Sequence, residues 1–148
     1  MNWVHGVIAV SALAGLGACS KPFDYDQASE AERAKFFDQA SQGLYDGLEH
    51  SIPHGAGGVY MQMGSRKVDI ERRRIEILVN VQNDEDEEID FSSLSQTKLL
   101  RTVCPEYLAG DLNRNKVTVS VRFALPHGGT AAAVTATPGA CASFANRE

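Results

Sequence analysis

Two periods of apolar residues divide this chain. Ala34, Phe37, Ala40, Leu44 and Leu48 recur at helical spacing, with Glu30, Arg33, Asp38 and Asp46 on the other faces. Ahead of them, Ser29-Glu30-Ala31-Glu32 has capping-box spacing: the serine accepts from the backbone while Glu32 reaches back to it. The pattern predicts a helix from about Ser29 to Glu49. Pro53 and the glycines of His54-Gly55-Ala56-Gly57-Gly58 end it in a loop.

A period of two follows. Val59 to Met63 alternates weakly, whereas Ile75, Ile77, Val79 and Val81 alternate strictly with Glu76, Asn80 and Gln82 between them. Val68 and Ile70 keep the opposite parity. The phase therefore changes near Arg72-Arg73-Arg74, through a bulge, a bend or a break into two strands. The acidic run Asp84-Glu85-Asp86-Glu87-Glu88 marks an exposed turn. A second helix is expected from Ser92 or Ser93, carrying Leu99, Leu100, Val103 and Cys104 up to Pro105, with Tyr107, Leu108 and Leu112 in a short further turn.

The clearest strand puts Val117, Val119, Val121 and Phe123 on one face and Thr118, Ser120 and Arg122 on the other. Pro126-His127-Gly128-Gly129 is a turn, and Thr130 to Thr137 pairs back as a hairpin. Helix, strands, helix and hairpin predict an α+β fold: a small antiparallel sheet with two main helices packed on one face.

The first residues follow neither period. Val7 to Ala18 are almost wholly apolar or small, and no Asp, Glu, Lys or Arg precedes Lys21. The stretch is too short to span a bilayer and has the dimensions of a signal-peptide core. It ends in Leu16-Gly17-Ala18-Cys19, which resembles the lipobox of bacterial lipoprotein precursors. The resemblance implies a signal peptide over 1–18, cleavage before Cys19 and acyl chains on that cysteine. Ser20 in the next position then implies sorting to the outer membrane. Residues 19–28 become a lipidated tether and 29–148 a single α+β domain of ordinary size.

The formal net charge is −5, and the leader contributes nothing to it. An acidic balance argues against nucleic acid as partner, since phosphate neutralisation needs a basic footprint. With Cys19 lipidated, Cys104 and Cys141 remain. An even pair in an oxidising compartment reads as a disulfide stapling the second helix to the end of the hairpin. A cysteine nucleophile would need a neighbouring base, and none lies near in sequence.

No catalytic motif frames any serine, and no phosphate loop or dinucleotide fingerprint occurs, so the chain reads as a non-enzyme without cofactor or resident metal. His50 and His54 lie four apart, but Pro53 and the glycines break the helix a two-histidine zinc site needs. The acidic run lacks the spacing of a calcium loop. A small-ligand or metal-ion-binding lipoprotein that uses these groups is the alternative function. Arg66, Lys67, Arg72, Arg73 and Arg74 form one basic patch, suited to lipid head groups or an acidic partner.

The second half, from Leu99-Leu100-Arg101-Thr102-Val103-Cys104-Pro105 through the strand Lys116 to Phe123 and on to Cys141, resembles the β-type pilotins of type II secretion. That likeness implies a disulfide-stapled lipoprotein that escorts secretin subunits to the outer membrane. For such a binder, a groove between the first helix and the sheet is expected to accept an amphipathic segment of the client, with Phe36, Tyr45 and Tyr60 as groove residues because they need not all fit the core stripe, Arg72, Arg73 and Arg74 of the basic patch as further partner contacts, and the anchored domain facing the periplasm.

Overall fold

The computed structural model describes residues 21–51, 59–83 and 95–145, with the backbone alone at 51, 59, 60, 83, 98, 102 and 106. The leader, Cys19, His54 and the acidic run at 84–88 lie outside the described residues.

Helix α1 spans Glu30–Ser51. The capping box forms as expected: Ser29 N–H and Oγ donate to Glu32 Oε2 at 2.8 and 2.7 Å, and Glu32 N–H returns to Ser29 Oγ at 3.3 Å. The serine hydroxyl, then its N–H, hold the Glu32 carboxyl below its ordinary pKa. The expected stripe faces the core at Phe37, Ala40, Leu44 and Leu48; Ala34 is exposed instead, and Ser41 is buried. Ser41 tolerates burial because its Oγ donates to the Asp38 carbonyl and accepts from Arg66 at 2.8 Å.

Strands β1 (Val59–Asp69) and β2 (Arg74–Asn83) form an antiparallel hairpin. Within β1, Met63 faces Val79 but Arg66 faces Ile77, so one extra residue is accommodated at Gly64-Ser65. This bulge exchanges the faces. Met61 and Met63 look toward the helices before it, Arg66 and Val68 after it. The change of phase in the sequence is thus resolved as two strands, with a bulge inside the first.

Helix α2 spans Gln96–Ala109 and a short helix α3 spans Asp111–Arg114. Pro105 does not stop α2, against expectation; it sits inside the helix. Its neighbours Cys104 and Tyr107 are fully buried, so packing offsets the one backbone bond a proline removes. Strands β3 (Thr118–Ala124) and β4 (Thr130–Ala136) make the second hairpin, turned at Gly128 and Gly129, whose φ values of 90° and 96° favour glycine. A final turn of helix, α4 (Pro138–Cys141), is capped by Thr137 Oγ1, which accepts from Ala140 N–H at 3.0 Å.

The sheet order is β1-β2-β3-β4, and it is mixed rather than antiparallel, because β2 and β3 run parallel from Arg74↔Thr118 to Asn80↔Ala124. The connection through α2 returns the chain to the end where β2 began, which is what parallel neighbours require. Both helices do lie on one face. α1 packs against β1 and β2, α2 packs against β4, and Ile75, Ile77, Val79, Val81, Val119, Val121 and Phe123 fill the space beneath them. The disulfide forms between Cys104 and Cys141 and ties α2 to α4 just beyond β4.

The domain begins earlier than the sequence pattern indicates. Residues expected in a free tether are packed on the fold from Phe23 onward, because two aromatic side chains in that segment find partners. Phe23 stacks on Phe36 with ring centroids 4.0 Å apart, and Tyr25 is 8% exposed with its hydroxyl donating to the Ile70 carbonyl at 2.8 Å.

Candidate functional site

The five cations of the expected basic patch are dispersed. Arg66 lies across the helix side of the bulge, where it donates to Ser41 Oγ and the Asp38 carbonyl and pairs with Asp38 at 3.3 Å. Exposed Arg72 pairs with Asp69 at 3.7 Å in the β1–β2 turn. Arg73 turns under the N-terminal segment: its guanidinium lies 3.9 Å from the Tyr25 ring centroid, pairs with Asp26 and donates to the Asn115 carbonyl at 3.2 Å. Arg74 stands on the outer sheet face and pairs with Glu76 at 2.9 Å. Consecutive residues at a turn and strand start point in different directions, so a run of charge in sequence makes no patch in space.

The groove residues behave similarly. Phe36 is engaged by Phe23 and by Phe37, edge to face at 5.4 Å. Tyr45 donates its hydroxyl to the Gly64 carbonyl at 3.3 Å, bridging α1 to the bulge. With Arg66 beside it, this bond spans the seam between α1 and β1 where the client groove was expected. Tyr60 belongs to β1, and its side chain lies outside the described residues. His50 is exposed in the last turn of α1, with Nδ1 2.6 Å from the Asp46 carbonyl. Among the described residues no three metal-ligating side chains converge.

What the fold leaves open is the other side of the sheet. Among the described residues no element packs there. Alternation brings out Lys67 from β1, Arg74, Glu76 and Leu78 from β2, Ser120 and Arg122 from β3, and Ala133 and Thr135 from β4, around a shallow depression of about 250 Å³. Glu76 faces Lys67 on one side and Ser120 on the other, and Ser120 Oγ lies 3.2 Å from Thr135 Oγ1. Among the described residues three cations face one carboxylate on this surface, although the whole protein is acidic. The alternating sequence carried that signal, since Lys67, Arg74 and Arg122 each occupy the polar phase of their strand. Which strands lie side by side was the missing piece.

No family model matches the chain, and no curated protein matches it. Among solved structures it is similar to the type II secretion system pilotin AspS from Vibrio cholerae, with 13% sequence identity and a TM-score of 0.37, over 77% of this chain and 100% of that one. At that distance the likeness assigns no function. Among the described residues no helix is long and apolar enough to cross a membrane.

Proposed function

We propose that this is a lipid-anchored, non-catalytic protein of the bacterial envelope that binds another envelope protein through the bare face of its sheet, as a pilotin-like assistant of secretin targeting or of envelope-complex assembly. The anchor is the Cys19 of Leu16-Gly17-Ala18-Cys19, and the outer membrane is its place. The Cys104–Cys141 bond supports an oxidising compartment.

The observation that carries the binding role is the asymmetry of the sheet. One face carries two helices, and among the described residues the other presents Lys67, Arg74 and Arg122 around one glutamate, Glu76. A surface of that composition suits an acidic client segment: charges of opposite sign steer the encounter and fix register more than they add affinity. The bonds of Tyr45 and Arg66 across the α1–β1 seam favour this face over a groove beside the helix.

Site-specific photo-crosslinking in the native host tests the reading. A crosslinker at exposed Ala133 should capture one envelope protein, a secretin subunit in the pilotin case, and one at exposed Lys35 on α1 should not. The adduct should weaken in a Lys67→Glu, Arg122→Glu double variant. An absent adduct, or equal capture from Lys35, would remove this function.

A further inference from the structure

The strand-entry end of the sheet gathers cations that client binding does not use. Among the described residues, the non-glycine positions with positive φ are Arg73 at 51° and Lys116 at 54°. The left-handed region suits glycine and asparagine, and here chain reversals impose it: Arg73 closes the β1–β2 turn, its N–H donating to the Ile70 carbonyl, and Lys116 ends α3, where its N–H donates to the Asn113 carbonyl and that of Val117 to the Leu112 carbonyl. Both residues carry a positive charge. The parallel pairing puts them side by side, since β2 and β3 start together and Thr118 N–H donates to the Arg73 carbonyl at 2.8 Å.

The two cations line one cavity of about 350 Å³ with Lys21, Phe23, Asp24, Asp26, Arg114 and Asn115. Of its two carboxylates, Asp26 pairs with Arg73, and Asp24 accepts the Asp26 N–H at 3.0 Å, so four cations face two carboxylates here. Arg114 pairs with Asp111 at 2.8 Å. Lys21 and Lys116, both exposed, have no ion-pair partner among the described residues, and they remain available to an anion. Arg73 is fixed from beneath by the Tyr25 ring and the Asn115 carbonyl, so one wall of the site is rigid.

Position selects the anion. Lys21 stands two residues after Cys19, so an extended chain keeps it within about 7 Å of the anchor. The following residues are pinned to the fold, which leaves no slack to carry this end away from a bilayer. We infer that the cavity seats the phosphate of an anionic lipid head group, with Lys21 and Lys116 as its ligands and Arg73 as the fixed cation behind them. This inference rests on Cys19 being the anchor. It would orient the domain with the strand-entry end on the membrane and the bare sheet face upright beside it.

Amine-reactive footprinting of the protein purified from its host envelope and reconstituted into vesicles tests the site. Lys21 and Lys116 should be protected severalfold by phosphatidylglycerol-containing vesicles relative to pure phosphatidylcholine, while Lys35 and Lys67 label equally in both. Lys116→Asn keeps a residue that accepts the left-handed backbone. It should melt no lower than the parent, yet lose about fivefold of the protection at Lys21. Equal labelling of Lys21 and Lys116 on both vesicles would overturn the site, as would unchanged Lys21 protection in Lys116→Asn. Equivalent protection by inorganic phosphate without vesicles would overturn the lipid assignment. The mass of the N-terminal peptide reports separately on the anchor: an unacylated Cys19 with anionic-lipid protection intact removes the lipoprotein reading and leaves the cavity assignment standing.

Discussion

Asn115 accepts the Tyr25 N–H on its side-chain oxygen at 2.8 Å, joining two residues that are 90 positions apart. Its amide nitrogen donates to the Phe23 carbonyl at 3.0 Å and to the Asp111 carbonyl at 2.8 Å. One buried side chain thereby satisfies three backbone groups and fastens the N-terminal segment to α3. Asn115→Ala strands the Tyr25 N–H and the Phe23 carbonyl, while the Asp111 carbonyl keeps the Asn115 backbone N–H, and the cost should be about 2 to 3 kcal/mol. Urea unfolding measures it. Hydrogen exchange should accelerate at Tyr25, whose N–H loses its acceptor; unchanged exchange there would show that the aromatic stack alone holds the segment.

The Cys104–Cys141 bond closes a loop of sequence separation 37. On the chain-entropy model a loop of that length contributes about 4 kcal/mol. A Cys104→Ser, Cys141→Ser variant should unfold at lower denaturant by that amount. Because Tyr107 still ties α2 to Val117, just ahead of β3, the fold should persist with α4 loosened, which exchange at Ala140 and Cys141 would report. Stability within 1 kcal/mol of the parent, on the order of a single hydrogen bond, would mean that the staple adds little.

Gly64 sits in the β1 bulge with no room for a side chain: a Cβ there would meet the Leu78 carbonyl oxygen at 2.9 Å. The obstacle is backbone and cannot swing aside. Gly64→Ala should cost about 1 to 3 kcal/mol as overpacking and weaken the Tyr45 bond to the Gly64 carbonyl. Thermal melting checks the first effect; an unaltered melting temperature would indicate that the bulge relaxes freely.

Much of this architecture was legible because it is local. The capping box at Ser29, the alternation of Ile75 to Val81 and that of Val117 to Phe123 each follow from neighbours in sequence, and each is found where it was expected. Strand direction is not local. Alternation tells which side chains are buried but not which way the next strand runs, and the parallel β2–β3 pair was missed although a helix between two strands is the connection such a pair needs. The early start of the domain had its own sign, two aromatic residues, Phe23 and Tyr25, among polar neighbours. The left-handed Arg73 and Lys116 had none, because neither residue type favours that backbone; only the joint start of β2 and β3 reveals them as a pair. The site followed the same rule. Arg72, Arg73 and Arg74 are adjacent in sequence and diverge in space, whereas Lys67, Arg74 and Arg122 are distant in sequence and share a surface.

Tyr107 supplies a prediction in pH. Its hydroxyl donates to the Val117 carbonyl at 2.7 Å, its residue exposure is 2%, and burial pushes its pKa up to about 12 from 10.0. A phenolate there would lose its solvation and turn from donor into a like-signed neighbour of the carbonyl oxygen. The folded state therefore holds this proton more tightly than the unfolded chain does. Stability from this group is fully present below pH 10 and declines as pH rises from about 10 toward about 12, where the unfolded chain ionises first. Tyr107→Phe removes the ionisation and the hydrogen bond together, so it should cost about 1 kcal/mol at neutral pH and flatten the alkaline decline. Urea midpoints across the alkaline range, compared between parent and variant, decide it; parallel curves would place the alkaline sensitivity elsewhere in the protein.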